Sequence, residues 1–278
     1  TGLGVYFGLR EALSHPEIAK NLGFETGVEN KRVIVQGLGN VGFHSALFCQ
    51  EGGAIIVGIA EREGGIYNAN GLDVNAVFKH RTESGSILNF PGAKNFEQGN
   101  ELLEMECDVL IPAALENQIH GGNAANIKAK IIAEGANGPV TKEAEEILQE
   151  KNVLILPDLY MNAGGVTVSY FEWLKNLSHV RFGRMGKRLE EMNFKRLVDA
   201  IESGTGKGIG AKERELIIHG AGEEDLVRSG LEDTMVYAFH EIYNIKKSNN
   251  LIPDLRTAAM ISAINKVAAS YLSMGIWP

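Results

Sequence analysis

The sequence predicts an α/β fold: a doubly wound, mostly parallel sheet with helices on both faces and a C-terminal helical extension. Two observations predict this fold. Up to Leu177, short apolar runs alternate with segments of helical spacing, as the strands and helices of a parallel sheet do. After Leu177 no run predicts a further strand, and charged or amphipathic segments of helical length replace the alternation.

The predicted strands are short and apolar because a strand that is covered on both faces buries all of its side chains. We expect strands at 32–36, 55–60, 109–112, 131–133 and 153–156. Helices are predicted where apolar residues recur with a helical period. We expect them at 1–22, 43–51, 75–81, 141–151 and 163–177, and then in the extension at 186–203, 225–248 and 255–273, with a glycine-rich link at 204–210.

Composition limits the partners and the compartment. Lys and Arg number 27 against 35 Asp and Glu, so a net charge of -8 disfavours nucleic acid and anionic membranes as partners. No apolar run is long enough to span a membrane. Cys49 and Cys107 are expected to be buried free thiols in a reducing compartment. We therefore expect the cytosol, with the mitochondrial matrix as the alternative, and a segment upstream of Thr1, because no initiator Met opens the chain.

A glycine motif follows the first predicted strand. Its residues are Gly37, Leu38, Gly39, Asn40, Val41 and Gly42, and a predicted helix follows it directly. In a Rossmann-type fold the first glycine permits a tight turn, the second lets a diphosphate approach the backbone, and the third allows the helix to pack closely on the strand. Free N–H groups at the helix start then face the phosphates. The motif predicts a dinucleotide site.

An acidic residue ends the second predicted strand. Glu61 lies about 20 residues beyond the glycine motif, where a carboxylate accepts hydrogen bonds from the adenosine ribose. A carboxylate there repels a 2′-phosphate, so the sequence favours NAD. Arg62 keeps NADP open, since a guanidinium beside Glu61 could pair with that phosphate.

Long segments resemble one family. The sequence is similar to the C-terminal, NAD(P)-binding domain of hexameric glutamate dehydrogenases, within the Glu/Leu/Phe/Val dehydrogenase family. The segments that carry the resemblance are 1–5, 131–139, 157–158, 162–173 and 255–259. The resemblance implies that residues 1–278 form one dinucleotide-binding domain, with a short helical antenna-like insertion at 179–229 and closing helices at 230–278.

The resemblance also implies roles at the nicotinamide end of the cofactor. Thr1 and Asn137 would hold the nicotinamide amide, Ala113 and Ala114 would pack on its ribose, and Asn162 would lie beside the ring. Asn137 and Asn162 follow predicted strands, so both are expected at the carboxyl edge of the sheet, where α/β proteins bind ligands.

The implied reaction is the oxidative deamination of L-glutamate to 2-oxoglutarate and ammonia. Val166 and Ser169 would contact the substrate, with Ser169 bonding its side-chain carboxylate. From the residues alone, a hydroxyl that packs between helices is the preferred interpretation of Ser169. A leucine, phenylalanine or valine dehydrogenase is one alternative, although such apolar substrates need no hydroxyl there. A non-catalytic NAD-binding module is another.

The catalytic groups are expected outside this chain. In the family a lysine and an aspartate of the N-terminal domain carry the protons, and no position here corresponds to them. The fragment is therefore predicted to bind cofactor without turning over substrate, and to form a homohexamer when full length. No metal site is predicted, because Asn244 stands where a zinc helix that begins at His240 needs its second histidine.

Overall fold

The computed structural model describes residues 1–178, 184–219 and 222–275. These residues form two compact units. The sheet unit comprises 1–166 and the described residues from 234 onward, and the helical unit comprises the described part of 167–233. Residues 179–183 and 220–221 of the predicted insertion, and 276–278 at the end of the chain, lie outside the described residues.

The sheet unit contains a seven-stranded, mostly parallel sheet. Its strands are β1 (Arg32–Gln36), β2 (Ile55–Glu61), β3 (Gly64–Tyr67), β4 (Lys94–Phe96), β5 (Val109–Pro112), β6 (Ile131–Ala133) and β7 (Leu154–Leu156). The strand order is β4-β3-β2-β1-β5-β6-β7; the β2–β3 and β3–β4 pairs are antiparallel, and the other named pairs are parallel. β1 is central, with β2 on one side and β5 on the other.

Helices cover this sheet and continue beyond it. In the sheet unit they are α1 (Gly2–Ser14), α2 (Pro16–Leu22), α3 (Asn40–Glu51), α4 (Val74–Ser84), α5 (Lys142–Glu150), α6 (Asp158–Met161) and α11 (Leu255–Met274). The helical unit contains α8 (Arg184–Thr205) and α9 (Ala211–Ile218). Two helices contribute residues to both units, namely α7 (Ala163–Ser178) and α10 (Glu223–Ser248). Short 3-10 turns lie at Gly99–Glu104 and Ala124–Asn126.

The predicted parallel core is confirmed, but the sequence missed two strands. The strands predicted at 32–36, 109–112 and 131–133 have the observed bounds, and the other two differ by one residue at one end. The missed strands β3 and β4 form an antiparallel addition to the sheet. β3 opens with two glycines, which have low strand propensity, and β4 is three residues long with Lys94 and Asn95 exposed, so neither resembles a buried parallel strand.

The prediction of a single helix at 1–22 is wrong, because two helices occupy this segment. His15 is extended, with φ of -78° and ψ of 113°, and Pro16 begins a second helix. Proline disfavours helical backbone at the preceding residue and fits the first turn of a new helix. In the extension, α9 was not predicted, and α8 continues to Thr205, inside the predicted link at 204–210.

Both cysteines of the chain are buried in the sheet unit. Cys49 on α3 and Cys107 before β5 are both buried and free, as predicted. Burial in apolar surroundings raises the pKa of each thiol to about 12. No helix in the described parts of the chain combines the length and the apolar character that crossing a bilayer would require.

Candidate functional site

The candidate site lies beside β1, where the strand order of the sheet changes direction. From β1 the chain builds β2 on one side and later β5 on the other, so the connections after these strands diverge. In open parallel sheets this divergence leaves a crevice beyond the carboxyl ends of the strands. The glycine turn, Gly37–Gly42, occupies that position, between β1 and the start of α3.

The three glycines of the turn have different surroundings. Gly37 has a φ of +94°, which favours glycine, and a Cβ there would lie 2.8 Å from the Ala113 carbonyl oxygen. A Cβ on Gly42 would lie 1.9 Å from the Gly37 carbonyl oxygen, so α3 packs directly on the turn. A Cβ on Gly39 would meet no atom within 4 Å. The backbone is therefore open to a ligand at Gly39 and closed by protein at the other two glycines.

The start of α3 faces the open side of the turn. Gly39 is the N-cap of the helix and offers no side chain to cap its first amides. Gly39 and Asn40 are exposed, and Val41 is partly exposed. Uncapped N–H groups at a helix start, together with the helix dipole, form an anion-binding arrangement.

Glu61, the last residue of β2, lies against the glycine turn. Its carboxylate accepts a hydrogen bond from the Leu38 N–H and pairs with the Arg81 guanidinium at 3.1 Å (Nη1 to Oε1). Arg81 also donates to the Leu38 carbonyl at 3.2 Å and lies 3.6 Å from Glu63. A guanidinium thus lies beside the carboxylate and the turn at once.

The cation beside Glu61 differs from the expected one. Arg62 is exposed, and its backbone N–H donates to Glu61 at 3.2 Å. Arg81 is the arginine whose side chain contacts the carboxylate. It lies on α4, and no sequence pattern linked it to Glu61.

A cleft of about 470 Å³ lies in the sheet unit. It brings together seven predicted site residues: Thr1, Val41, Ala113, Ala114, Asn137, Asn162 and Val166. Leu115, Glu116, Gly135, Ala136 and Gly165 complete the lining. Glu116 is the one titratable side chain among these lining residues. The cleft thus offers amides and small apolar groups and little proton-transfer chemistry.

The polar contacts of the cleft centre on two amides. The Asn162 side-chain amide donates to the Asn137 side-chain oxygen at 2.6 Å. The Thr1 side chain packs against Gly165, where a Cβ would lie 2.3 Å from the Thr1 hydroxyl oxygen. Ser169 is exposed and belongs to the helical unit, outside the lining of the cleft, so its role stays a prediction.

A partly buried ionic cluster lies next to the two amides, and no pattern in the sequence predicted it. Arg256, in the first turn of α11, contacts Glu134, Glu145 and Asp158. The Glu134 side chain is fully buried, and burial raises the pKa of its carboxyl, against the lowering effect of its hydrogen bond from Arg256. Burial alone would lower the pKa of Arg256. The hydrogen bond to Glu134 and the neighbouring carboxylates outweigh this effect and raise the pKa above its ordinary value, so the guanidinium is charged.

No metal site is found among the residues that the structure describes, since no group of three His, Cys, Asp or Glu side chains could hold an ion there.

Comparison with known proteins identifies the family. Residues 1–211 match the family model described as Glutamate/Leucine/Phenylalanine/Valine dehydrogenase. The chain belongs to this family. The resemblance that the segments around Asn137 and Asn162 suggested is thereby confirmed.

Individual members of the family align with nearly the whole chain. The mitochondrial glutamate dehydrogenase of Dictyostelium discoideum is 51% identical over 275 residues, which are 99% of this chain and 54% of that protein. The NADP-specific glutamate dehydrogenase of Saccharolobus shibatae is 36% identical over 276 residues, again 99% and 54%. The Leu-bound structure of hetero-hexameric glutamate dehydrogenase from Thermus thermophilus is 26% identical with a TM-score of 0.72, over 99% of this chain and 54% of that one. The chain therefore spans about half the length of these relatives.

Proposed function

We propose that the chain is the NAD(P)-binding domain of a glutamate dehydrogenase, which deaminates L-glutamate oxidatively to 2-oxoglutarate and ammonia. The observation that carries the proposal is the glycine turn at the centre of the sheet, with its open backbone at Gly39 and an uncapped helix start behind it. The names of the relatives support glutamate as the substrate class.

Different groups of residues would hold the successive parts of a dinucleotide. The amides of the Gly37–Gly42 turn would hold the diphosphate, and Glu61 would hold the adenosine ribose. Ala113 and Ala114 would pack on the second ribose, while Thr1, Asn137 and Asn162 would hold and orient the nicotinamide. Support comes from the cleft that joins these last five residues. When bound, the nicotinamide supplies the hydride acceptor, and the residues of this chain bind and orient it.

The choice between NAD and NADP depends on Glu61 and Arg81. A carboxylate at the turn repels a 2′-phosphate, which favours NAD. Arg81 lies 3.1 Å from that carboxylate and could pair with a 2′-phosphate if Glu61 turned away. We therefore expect NAD to bind more tightly, with NADP accepted more weakly. Glu61→Ser should narrow or reverse the preference for NAD over NADP. Arg81→Ser should weaken the binding of NADP more than the binding of NAD. If the ratio of the two affinities were unaltered in both variants, neither residue would have the role proposed for it.

Substrate recognition would involve Val166 and Ser169. Val166 lines the cleft and is 75% exposed, so its side chain is available for contact. Ser169 would bond the side-chain carboxylate of glutamate, whereas a leucine, phenylalanine or valine side chain offers no polar group for that hydroxyl to bond. Ser169→Ala should therefore raise the KM for glutamate in the complete enzyme.

The chain alone is expected to bind without catalysis. Glu116 is the one titratable side chain lining the described cleft, so the groups that transfer protons would come from the half of the enzyme that the relatives have beyond this alignment. This observation also favours the second candidate, a non-catalytic NAD-binding module. We further propose that the complete enzyme is a homohexamer of the cytosol or the mitochondrial matrix, and that the insertion at 179–229 is antenna-like.

Two measurements test the proposal. NADH titrated into the isolated chain should enhance or shift its nicotinamide fluorescence with a saturable affinity. The chain joined to the N-terminal half of a glutamate dehydrogenase should then reduce NAD with glutamate and not with leucine. Activity on leucine alone would replace the substrate assignment, binding without any activity would favour the module, and no binding would refute the proposal altogether.

A further inference from the structure

Arg256 joins three carboxylates that belong to three separate elements. Its Nη2 lies 2.7 Å from Glu134, which follows β6; its Nε lies 3.0 Å from Glu145 on α5; and its Nη1 lies 2.9 Å from Asp158, the first residue of α6. The Glu134 side chain is fully buried, whereas the Arg256 side chain is 25% exposed. An ion pair of this kind is costly to break on one side, because the partner charge stays buried.

Two of these carboxylates continue the contact towards the cleft. The second oxygen of Glu134 accepts the Asp158 N–H at 2.7 Å, so the end of β6 is tied to the start of α6. The second oxygen of Asp158 accepts the Gly138 N–H at 2.8 Å. Gly138 directly follows Asn137 and has a φ of +54°, in the left-handed region. Asp158 therefore holds the turn that carries Asn137.

The same aspartate also leads to Asn162. The Asn162 N–H donates to the Asp158 carbonyl at 3.1 Å across the single turn of α6. The side chains of Asn162 and Asn137 are bonded to each other at 2.6 Å. The contacts form a closed ring from Asp158 through Gly138, Asn137 and Asn162 back to Asp158. Arg256 contacts this ring directly at Asp158 and indirectly through Glu134.

We propose that Arg256 is a positioning residue that sets the geometry of the Asn137–Asn162 pair through Glu134 and Asp158. The inference rests on the proposed function, because it is the nicotinamide that these amides would hold. Glu145 differs from the other two carboxylates: it contacts Arg256, but among the described residues it makes no hydrogen bond to the ring. It stabilises the guanidinium without holding either amide.

This arrangement predicts an effect confined to one end of the cofactor. The diphosphate and the adenosine ribose would be held at the glycine turn and Glu61. In the described part of the chain, the Glu61 carboxylate contacts Leu38, Arg62 and Arg81, and it does not contact Arg256. ADP-ribose has those two parts and lacks the nicotinamide. Loss of Arg256 should therefore weaken the binding of NADH and leave the binding of ADP-ribose almost unchanged. A general loss of structure would instead weaken the binding of both ligands.

The test compares Kd values for NADH and ADP-ribose on the isolated chain, by calorimetry, at a temperature where circular dichroism shows each variant folded. Arg256→Gln should raise the Kd for NADH about tenfold, the effect of losing one well-placed hydrogen bond to the nicotinamide, and should change the Kd for ADP-ribose by less than about twofold. Glu145→Gln is the matched control, and both of its Kd values should stay near wild type.

A second pair of variants keeps the inference testable if Arg256→Gln does not fold. Arg256→Lys retains a cation beside Glu134 but cannot span Glu134 and Asp158 together, and Asp158→Asn removes the charge that Arg256 contacts in the ring. Both should show the same selective loss of NADH affinity. Equal losses for the two ligands, or an unchanged Kd for NADH in a folded variant, would overturn the inference. Failure of the wild-type chain to bind either ligand would instead refute the proposed function.

Discussion

Replacing Gly39 by valine should abolish dinucleotide binding without unfolding the chain. The site of the new side chain is open, since a Cβ would meet nothing within 4 Å. The backbone at Gly39, with φ of -78° and ψ of -167°, is extended and accessible to any L-residue. The cost to stability is therefore limited to a poorer N-cap, about 1 kcal/mol, which lowers the Tm by roughly 2–4 °C.

The cost to binding is larger because the side chain would occupy the space that the diphosphate needs. Hydrogen bonds to a charged group contribute about 1.5–3 kcal/mol each. Loss of two such bonds from the turn amides would cost about 3–6 kcal/mol, which raises the Kd for NADH at least about a hundredfold. Fluorescence titration with NADH measures this change, and circular dichroism melting measures the small change in Tm.

Gly42→Ala provides a contrast, because its added methyl group meets backbone atoms and its main effect is a loss of stability. Its Cβ would lie 1.9 Å from the Gly37 carbonyl oxygen, a backbone atom that cannot move away cheaply. We expect a loss of stability of about 1–3 kcal/mol or more from this overpacking. If the folded Gly39→Val chain bound NADH with the wild-type Kd, the turn would not be the phosphate site, and the dinucleotide assignment would be wrong.

Two further predictions concern groups outside the cleft. The thiols of Cys49 and Cys107, whose pKa burial raises to about 12, should resist a thiol reagent at pH 8 in the native chain and react stoichiometrically in denaturant; rapid native labelling would contradict their burial. A hydrogen bond from Lys266 lowers the pKa of Glu241 below its ordinary value of 4.5, so this contribution to stability is present above pH 4.5 and is lost as the pH falls through the folded-state value. Glu241→Gln should therefore flatten the acid limb of a plot of Tm against pH, and a limb as steep as in the wild type would show that the pair contributes nothing.

The parallel core could be predicted because its signals are local. The strand at 32–36 is a continuous apolar run that ends at a glycine, and burial on both faces permits few other sequences there. The glycine turn and Glu61 were found for the same reason, since a fixed spacing along the chain brings them together. β3 and β4 carry no such signal, because the pairing of β3 with β2, and of β4 with β3, compensates for glycines and exposed polar residues.

The charged contacts of the site could not be predicted because no motif or fixed spacing links the residues that make them. Arg81 contacts Glu61 across the β3 addition and α4, and Arg256 contacts Glu134 across 122 residues of sequence separation. Neither arginine has a local pattern that distinguishes it from a solvated surface residue. Only the fold shows that one guanidinium is beside the glycine turn and the other is next to the Asn137–Asn162 pair.

The two ends of the site therefore depend on the fold in different ways. The turn at Gly39 is formed by consecutive residues between β1 and α3, and its openness requires only that side chains be absent. The Asn137–Asn162 pair is held by an ionic cluster whose cation lies on α11, near the end of the chain. Displacing α11 would release Arg256 and leave the turn intact. A ligand that uses only the turn should thus tolerate loosening of this helix, whereas a ligand that also uses the amides should stabilise the docked helix against unfolding.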